Sequence, residues 1–156
     1  MSIRTEAGSE ARAGIAAALS TLLADSYTLY LKTQNYHWNV EGPQFHALHT
    51  MFEEQYVELR EAVDRIAERI RALGFPAPGS YAAFAELTSI GEATDGISPA
   101  GDMVRTLAEG HETLAETART AVEEAEKAND VATADLATNR VEIHEKTAWM
   151  LRAMSA

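Results

Sequence analysis

The residues best suited to chemistry are imidazoles and carboxylates, because the chain of 156 residues contains no cysteine. Without thiolates, any metal must be held by His, Asp or Glu, a set of ligands that suits iron, manganese or zinc. The five histidines are His37, His46, His49, His111 and His144. None of them has a glutamate three residues before it, so the Glu-x-x-His motif of single-chain di-iron bundles is absent. A metal site must therefore be built in another way.

Four potential ligands share one face of a predicted helix. His49 and Glu53 are four residues apart, as are Asp64 and Glu68, and at about 100° per residue all four fall within a sector of about 100°. His49 and Asp64, however, are separated by about 22 Å of helix, at about 1.5 Å per residue. One chain therefore cannot close a site around a single metal ion with these four side chains.

A second copy of the same helix would bring these side chains together. When two such helices pack antiparallel about a two-fold axis, each residue faces the residue at the mirrored position. The pairs His49 with Glu68 and Glu53 with Asp64 have the same midpoint along the helix. The spacing therefore predicts two equivalent sites per dimer, each with ligands from both chains. His37, at the end of the preceding helix, is placed to add another nitrogen.

The same pattern has an alternative interpretation, which spacing alone leaves open. Acidic and basic residues at helical spacing commonly form a solvated face of salt bridges. Arg60, Arg65 and Arg69 lie close enough in the sequence to pair with the carboxylates. Trp38, next to His37, is likewise either an oxidisable aromatic beside the site or a packing residue at a helix end.

Long helices must position these residues. Only four prolines and nine glycines interrupt the chain, a composition that favours helices over strands. Apolar spacing and helix breakers predict four long helices over residues 9–38, 43–73, 99–127 and 131–154, with Ser98 capping the third. A long connection that contains a short helix over 81–86 separates the two helix pairs. The organisation predicts an all-α four-helix bundle, one domain over 1–156 with a flexible tail at 1–8.

The charge balance bears on the partners of the protein. Thirteen basic residues against twenty-four acidic ones give a formal charge of -11, which attracts cations and repels nucleic acid. Near the N-terminus, Arg4 and Arg12 are balanced by Glu6 and Glu10. No apolar stretch has the features of a secretory signal or a membrane span, so we expect a cytoplasmic protein without a membrane partner.

These residues resemble the Dps proteins, the DNA-binding proteins from starved cells, also called mini-ferritins. The resemblance is carried by residues 37–43 (HWNVEGP), by His49 with Glu53, and by residues 64–69 (DRIAER), and it extends over essentially the whole chain. It implies a ferritin-like bundle with a long crossover, assembled as a homo-dodecamer of two-fold dimers. It also implies a ferroxidase that oxidises Fe(II), preferably with hydrogen peroxide, stores ferric mineral and protects DNA.

The resemblance also assigns residues. The implied iron ligands are His37, His49 and Glu53 from one subunit with Asp64 and Glu68 from the other. Glu53 stands where many members have aspartate, which keeps the charge and lengthens the arm. Trp38 lies in the matching stretch, and we count it with these ligands among the candidate catalytic residues.

Residues outside the predicted site are assigned less directly. Glu126 and Asp135 resemble positions that line acidic three-fold pores for iron entry, and a solvated helix end is the alternative interpretation. His46, which has no counterpart, is predicted to lie on the surface or in packing, and His111 and His144 are predicted to be structural.

Two other functions remain open from the sequence. One is a structural protein of the nucleoid that coats DNA with little oxidation. Members that condense DNA typically use a lysine-rich mobile tail, which is missing here, so DNA binding is doubtful. The other is a shell occupied by zinc or manganese that acts as a metal buffer.

Overall fold

The computed structural model describes residues 8–154, which form five helices and no strand. The helices are α1 (Ser9–Asn39), α2 (Phe45–Ala72), α3 (Tyr81–Leu87), α4 (Ala100–Lys127) and α5 (Val131–Met154). α1 packs against α2 and α4, α4 packs against α5, and the short α3 lies against α1. The predicted all-α bundle, with a crossover that contains a short helix between the second and third long helices, is confirmed.

Two helices begin later than the sequence predicts. Pro43 lies in the turn before α2, where the N–H of Phe45 donates to the carbonyl of Gly42 at 3.0 Å. Gly42 has a φ of 117°, a conformation that glycine adopts without the usual steric cost. Pro99, predicted as the first helical residue of α4, is its N-cap, because its carbonyl already accepts from Asp102 and Met103 while its own ψ is 141°.

The predicted N-terminal tail, 1–8, lies outside the described residues except for Gly8. Arg12 falls within the predicted first helix, and the structure places it in α1, where it is half-buried and not part of a mobile tail. Between residues 8 and 154, no helix has both the length and the apolarity needed to cross a membrane.

Close packing of small and branched apolar side chains builds the core. At the contact of α1 with α4, a Cβ added to Gly110 would lie 2.7 Å from Cδ1 of Leu29, so glycine permits this approach of the two helices. The largest side chains buried throughout the bundle include Phe52, Ile15, Leu19, Leu22, Leu29, Leu48, Leu59, Ile66, Ile70 and Met103. Because these residues come from α1, α2 and α4, the same core holds the helices that carry the predicted ligands.

A buried carboxylate fastens the crossover to the bundle. Asp25 in α1 is fully buried. It accepts hydrogen bonds from the hydroxyl of Thr88 (2.8 Å), from the N–H (2.7 Å) and hydroxyl (2.9 Å) of Ser89, and from the hydroxyl of Thr117 in α4 (2.8 Å). These donors compensate a charge that would otherwise be costly to bury. The crossover is thereby held against α1 and α4.

Replacement of this carboxylate tests its contribution to the bundle. Hydrogen bonds to a charged group contribute about 1.5–3 kcal/mol each, so Asp25→Ala should lower the free energy of unfolding by at least about 3 kcal/mol. Urea unfolding at a fixed protein concentration measures the change. Asp95→Ala, which removes an exposed carboxylate from the loop before α4, is the matched control and should cost no more than about 0.5 kcal/mol. Equal losses in the two variants would contradict the anchoring role.

Candidate metal centre

Two histidines lie face to face where α1 turns into α2. The rings of His37 and His49 stack with centroids 3.8 Å apart and planes 13° from parallel. Nδ1 of each ring lies 2.7 Å from the backbone carbonyl oxygen of the other residue. The tight connection around Gly42 brings the end of α1 back against the start of α2 and so makes this reciprocal pairing possible.

The reciprocal hydrogen bonds fix the tautomer of both rings. A carbonyl oxygen only accepts, so each Nδ1 carries the proton and, in the neutral ring, each Nε2 keeps its lone pair. In the part of the chain that the structure describes, no hydrogen bond engages either Nε2. A histidine that binds a metal commonly donates its other ring N–H to a backbone carbonyl in this manner. His37 and His49 are therefore prepared to bind a metal through Nε2.

Two aromatic rings of α2 support the imidazoles. Phe45 stacks on His49 with centroids 5.0 Å apart, and Tyr56 meets the ring of His37 edge-on at 5.3 Å. His37 is buried and His49 half-buried. Neither Phe45 nor Tyr56 was assigned a role at the site from the sequence. Phe45 lies four residues before His49 and Tyr56 seven residues after it, so helical spacing places both on the same side of α2 as His49. This spacing was the signal in the sequence.

Three carboxylates lie on the exposed surface of α2. Glu53 follows His49 by one helical turn, whereas Asp64 and Glu68 lie farther along the helix. None of the three takes part in an ion pair formed within residues 8–154. Their negative charges are therefore available to a cation or to a second chain.

The arginines of α2 do not neutralise these carboxylates. Arg69 points to the other side, where Nη2 lies 2.9 Å from Asp130 and Nε donates to the hydroxyl of Thr133 at 2.9 Å. Arg60 and Arg65 are absent from the ion pairs of the described chain. The alternative interpretation, a face of salt bridges, does not describe the arrangement within this chain.

Asp64 and Glu68 are neighbouring carboxylates, one helical turn apart on the exposed surface of α2. A hydrogen bond with Asp64 and the negative charge of Asp64 raise the pKa of the Glu68 carboxyl. Adjacent carboxylates of this kind are stabilised when a cation lies between or beside them, because the cation favours the ionised form of both. This end of α2 therefore supplies the acidic half of a potential metal site.

The structure does not bring the imidazole half and the acidic half together within one chain. No group of three or more potential ligands converges among residues 8–154. His49 and Asp64 remain about 22 Å apart along α2, at about 1.5 Å per residue. The arrangement agrees with two half-sites that a single chain leaves incomplete.

The remaining candidates are placed outside this geometry. Trp38 is 62% exposed and lines a surface depression with Phe45 and Ile97, and among the described aromatic contacts its ring does not stack on His37. Glu126, near the end of α4, and Asp135, in α5, are both exposed.

The other three histidines are not part of the imidazole pair. His46 is exposed at the start of α2. His111 and His144 are buried between α4 and α5, where their Nδ1 atoms lie 2.9 Å apart. Neither of these two contacts the imidazole pair of His37 and His49 in the described structure.

Comparisons with known proteins agree with this fold. The ferritin-like domain matches residues 16–156. An uncharacterized low temperature-induced protein from Nostoc sp. is 43% identical over 145 residues, which cover 92% of this chain and 81% of that protein. DNA protection during starvation protein 2 from Bacillus anthracis is 38% identical over 135 residues, 86% of this chain and 92% of the relative.

A solved structure extends the likeness to three dimensions. The crystal structure of the Dps protein from Vibrio cholerae O1, described as a member of a broad superfamily of ferritin-like diiron-carboxylate proteins, superposes with a TM-score of 0.91. The sequences are 31% identical, and the match covers 99% of this chain and 100% of the other. Taken with the five-helix bundle and the sequence relatives, this match shows that the chain belongs to the Dps family of ferritin-like proteins.

Proposed function

We propose that this protein oxidises Fe(II), preferably with hydrogen peroxide, at sites shared across a two-fold dimer. The ferric product is stored inside a dodecameric shell, and the removal of both reactants protects DNA. The observation that carries the proposal is the pair His37 and His49, whose Nδ1 atoms both bond to carbonyls while neither Nε2 has a hydrogen-bond partner among the described residues. The description of the Vibrio cholerae relative as a diiron-carboxylate protein supports iron as the substrate.

The second half of each site comes from the partner in this proposal. In an antiparallel pair of α2 helices, His49 faces Glu68 of the partner subunit, and Glu53 faces Asp64 of the partner subunit, about one common midpoint. The exposed carboxylates of α2, which form no ion pair within residues 8–154, and the raised pKa of Glu68 beside Asp64 support this arrangement, since a cation would offset the repulsion between the two carboxylates. Each dimer then contains two equivalent sites.

The ligand set suits the oxidation of ferrous iron. Carboxylates are hard anionic donors and stabilise Fe(III) over Fe(II), while imidazoles bind both oxidation states. Each Fe(II) gives up one electron, so a pair of ferrous ions reduces one peroxide to water. The protein contributes position: the carbonyls of His37 and His49 orient the rings, and Phe45 and Tyr56 limit water around them.

We expect iron to enter the shell through pores that are lined by negatively charged side chains. Glu126 and Asp135 are exposed near the corner between α4 and α5, where they are placed to line a three-fold pore. Asp130 holds this corner by accepting from the N–H of Thr133 at 3.1 Å and from Arg69 at 2.9 Å. The chain's net charge of -11 also attracts cations to the assembled protein.

Mixed assemblies test whether the site is shared. His49→Ala and Asp64→Ala should each strongly slow the oxidation of iron, because each removes a ligand from every site. A dimer with one chain of each variant has one intact site and one doubly damaged site, so random reassembly should restore about a quarter of the native sites. The measurement is a peroxide pulse after anaerobic loading with Fe(II), with ferric absorbance and residual peroxide followed together.

A second mixture provides the matched control. His49→Ala and Glu53→Ala damage the same half-site, so a mixed dimer of these two variants contains no intact site and should regain no activity. Equal recovery in the two mixtures would contradict the shared geometry. Peroxide that persists beside bound but unoxidised iron would instead favour a metal buffer that holds zinc or manganese.

DNA binding is expected to be weak, although the relatives from Bacillus anthracis and Vibrio cholerae carry names that refer to DNA or to Dps. Non-specific affinity for DNA comes mainly from Lys and Arg that displace counterions. Arg4 and Arg12 are balanced by Glu6 and Glu10 in the sequence, and Arg12 lies within α1. We therefore expect no retardation of plasmid DNA in gels at neutral pH and physiological salt. Retardation that persists at this ionic strength and weakens when residues 1–7 are deleted would favour the nucleoid function.

A further inference from the structure

A chain of buried polar groups crosses the bundle away from the metal centre. His111 in α4 and His144 in α5 are buried, with relative exposures of 2% and 0%. Their Nδ1 atoms are 2.9 Å apart. Nη2 of Arg140, one turn earlier in α5, lies 3.1 Å from Nε2 of His144. The guanidinium also binds both carboxylate oxygens of Glu58 in α2, at 2.6 and 2.8 Å.

The donor and the acceptor of each hydrogen bond in this series follow from the presence of the arginine. A guanidinium only donates, so Nε2 of His144 must accept from Arg140. The proton of the neutral His144 ring then lies on Nδ1, which donates to Nδ1 of His111. The proton of His111 is left on Nε2, which is buried and without a partner in the described structure, as is Nε of Arg140. This series of hydrogen bonds therefore exists only while both rings are neutral.

A proton added to either ring replaces a hydrogen bond with two N–H groups that face and repel each other. A proton on Nε2 of His144 would face the N–H of Arg140, and a proton on Nδ1 of His111 would face the N–H of His144. Burial, followed by the charge of Arg140, lowers the pKa of His111 to about 3. Burial, followed by the charges of His111 and Arg140, lowers the pKa of His144 well below its ordinary value.

Among residues 8–154, no carboxylate hydrogen-bonds to either ring. In the described chain, the two imidazoles bond only to each other and to Arg140. From α2, the charged residues beside Arg140 are Glu58, Glu61 and Arg65, which line one groove with it, and only Glu58 bonds to the guanidinium. α1 presents the apolar Leu29 to α4 in this part of the core. An imidazolium formed here would thus be buried next to a second cation.

We propose that the neutral pair of His111 and His144 is an acid-sensitive lock that holds Arg140 on Glu58 and thereby fastens α5 to α2. Protonation in acid opens the lock and loosens α5. The lock belongs to the bundle of a single chain, so it does not depend on the proposed oxidation of iron.

The lock also bears on the position of the acidic half-site. Glu58 binds α5 through Arg140, and Arg69 binds it through Thr133 and through Asp130, the residue before α5. The stretch of α2 between these two attachments carries Asp64. Opening of the lock frees one end of that stretch, so Arg140 is a positioning residue for the carboxylates and does not itself touch the metal.

The sign of the pH dependence follows from the lowered pKa of both rings. A ring released to solvent regains an ordinary pKa of about 6.5, whereas the locked ring resists protonation down to a much lower pH. The open state therefore takes up protons as the pH falls below about 6.5, and the closed state does not. Stability of the lock is complete above this pH and decreases steadily towards about pH 3.

Hydrogen exchange measured by mass spectrometry on the full-length protein tests the lock. Protection factors for peptides of α5, corrected for the intrinsic exchange rate at each pH, should fall between pH 6.5 and 4.5. Each imidazole that takes up a proton on opening contributes up to about tenfold per pH unit. In the double variant His111→Asn/His144→Gln, whose side-chain amides do not titrate, this fall should disappear even if the overall protection is lower.

Two further variants provide a control and a second test of the lock. His46→Asn, at an exposed histidine, is the matched control and should show the wild-type slope. His111→Asn alone preserves an acceptor for Nδ1 of His144 and should show about half of that slope, since one of two titrating rings is gone; it carries the test if the double variant does not fold. A wild-type protein without the fall, or His111 and double variants that lose protection as steeply as the wild type, would overturn the proposal.

Discussion

The exchange of hydrogen bonds between His37 and His49 is the interaction on which the account of this protein depends. Each ring uses the other residue's carbonyl to hold its Nδ1 proton. The exchange links the last turn of α1 to the start of α2, and it leaves both Nε2 atoms with lone pairs. The same contacts therefore close the hairpin between two helices and orient the two candidate metal ligands. A change in the hairpin would change the ligands with it.

α2 carries three different surfaces, which explains why the site cannot be completed within one chain. One surface packs in the core through residues such as Leu59 and Ile66. A second surface binds α5 through Glu58 and Arg69. The third, with Glu53 and the other exposed carboxylates, has no ion pair within the described residues. A helix that is already held on two sides can present its remaining face only to a second chain or to solvent.

Much of the fold and the candidate ligands could be predicted from the sequence, because helical spacing and helix breakers are local properties. The positions of four long helices and one short helix followed from them, with errors of a few residues at Pro43 and Pro99, where turns and caps depend on backbone hydrogen bonds. The resemblance of residues 37–43 and 64–69 to the Dps proteins added the family, which the comparisons confirm. The shared metal site remains a prediction.

Other features depend on contacts between distant residues and left no local signal. Asp25 meets Ser89 and Thr117 only once the crossover is folded over α1. The series of hydrogen bonds from Glu58 to the buried His111 joins three helices, and each of its members looks like an ordinary surface or packing residue in the sequence. The tautomers of His37 and His49 likewise follow from backbone carbonyls, whose positions the sequence does not specify.

The most direct test of the central claim is the position of iron in crystals of the assembled protein soaked anaerobically with Fe(II). Anomalous diffraction at the iron absorption edge locates the metal independently of any assay of oxidation. A shared site should give a peak within about 2.0–2.3 Å of Nε2 of His49, bounded by Glu53 of the same chain and by Asp64 and Glu68 of the partner subunit. Iron bound only by ligands of one chain, with these four side chains left apart, would contradict it.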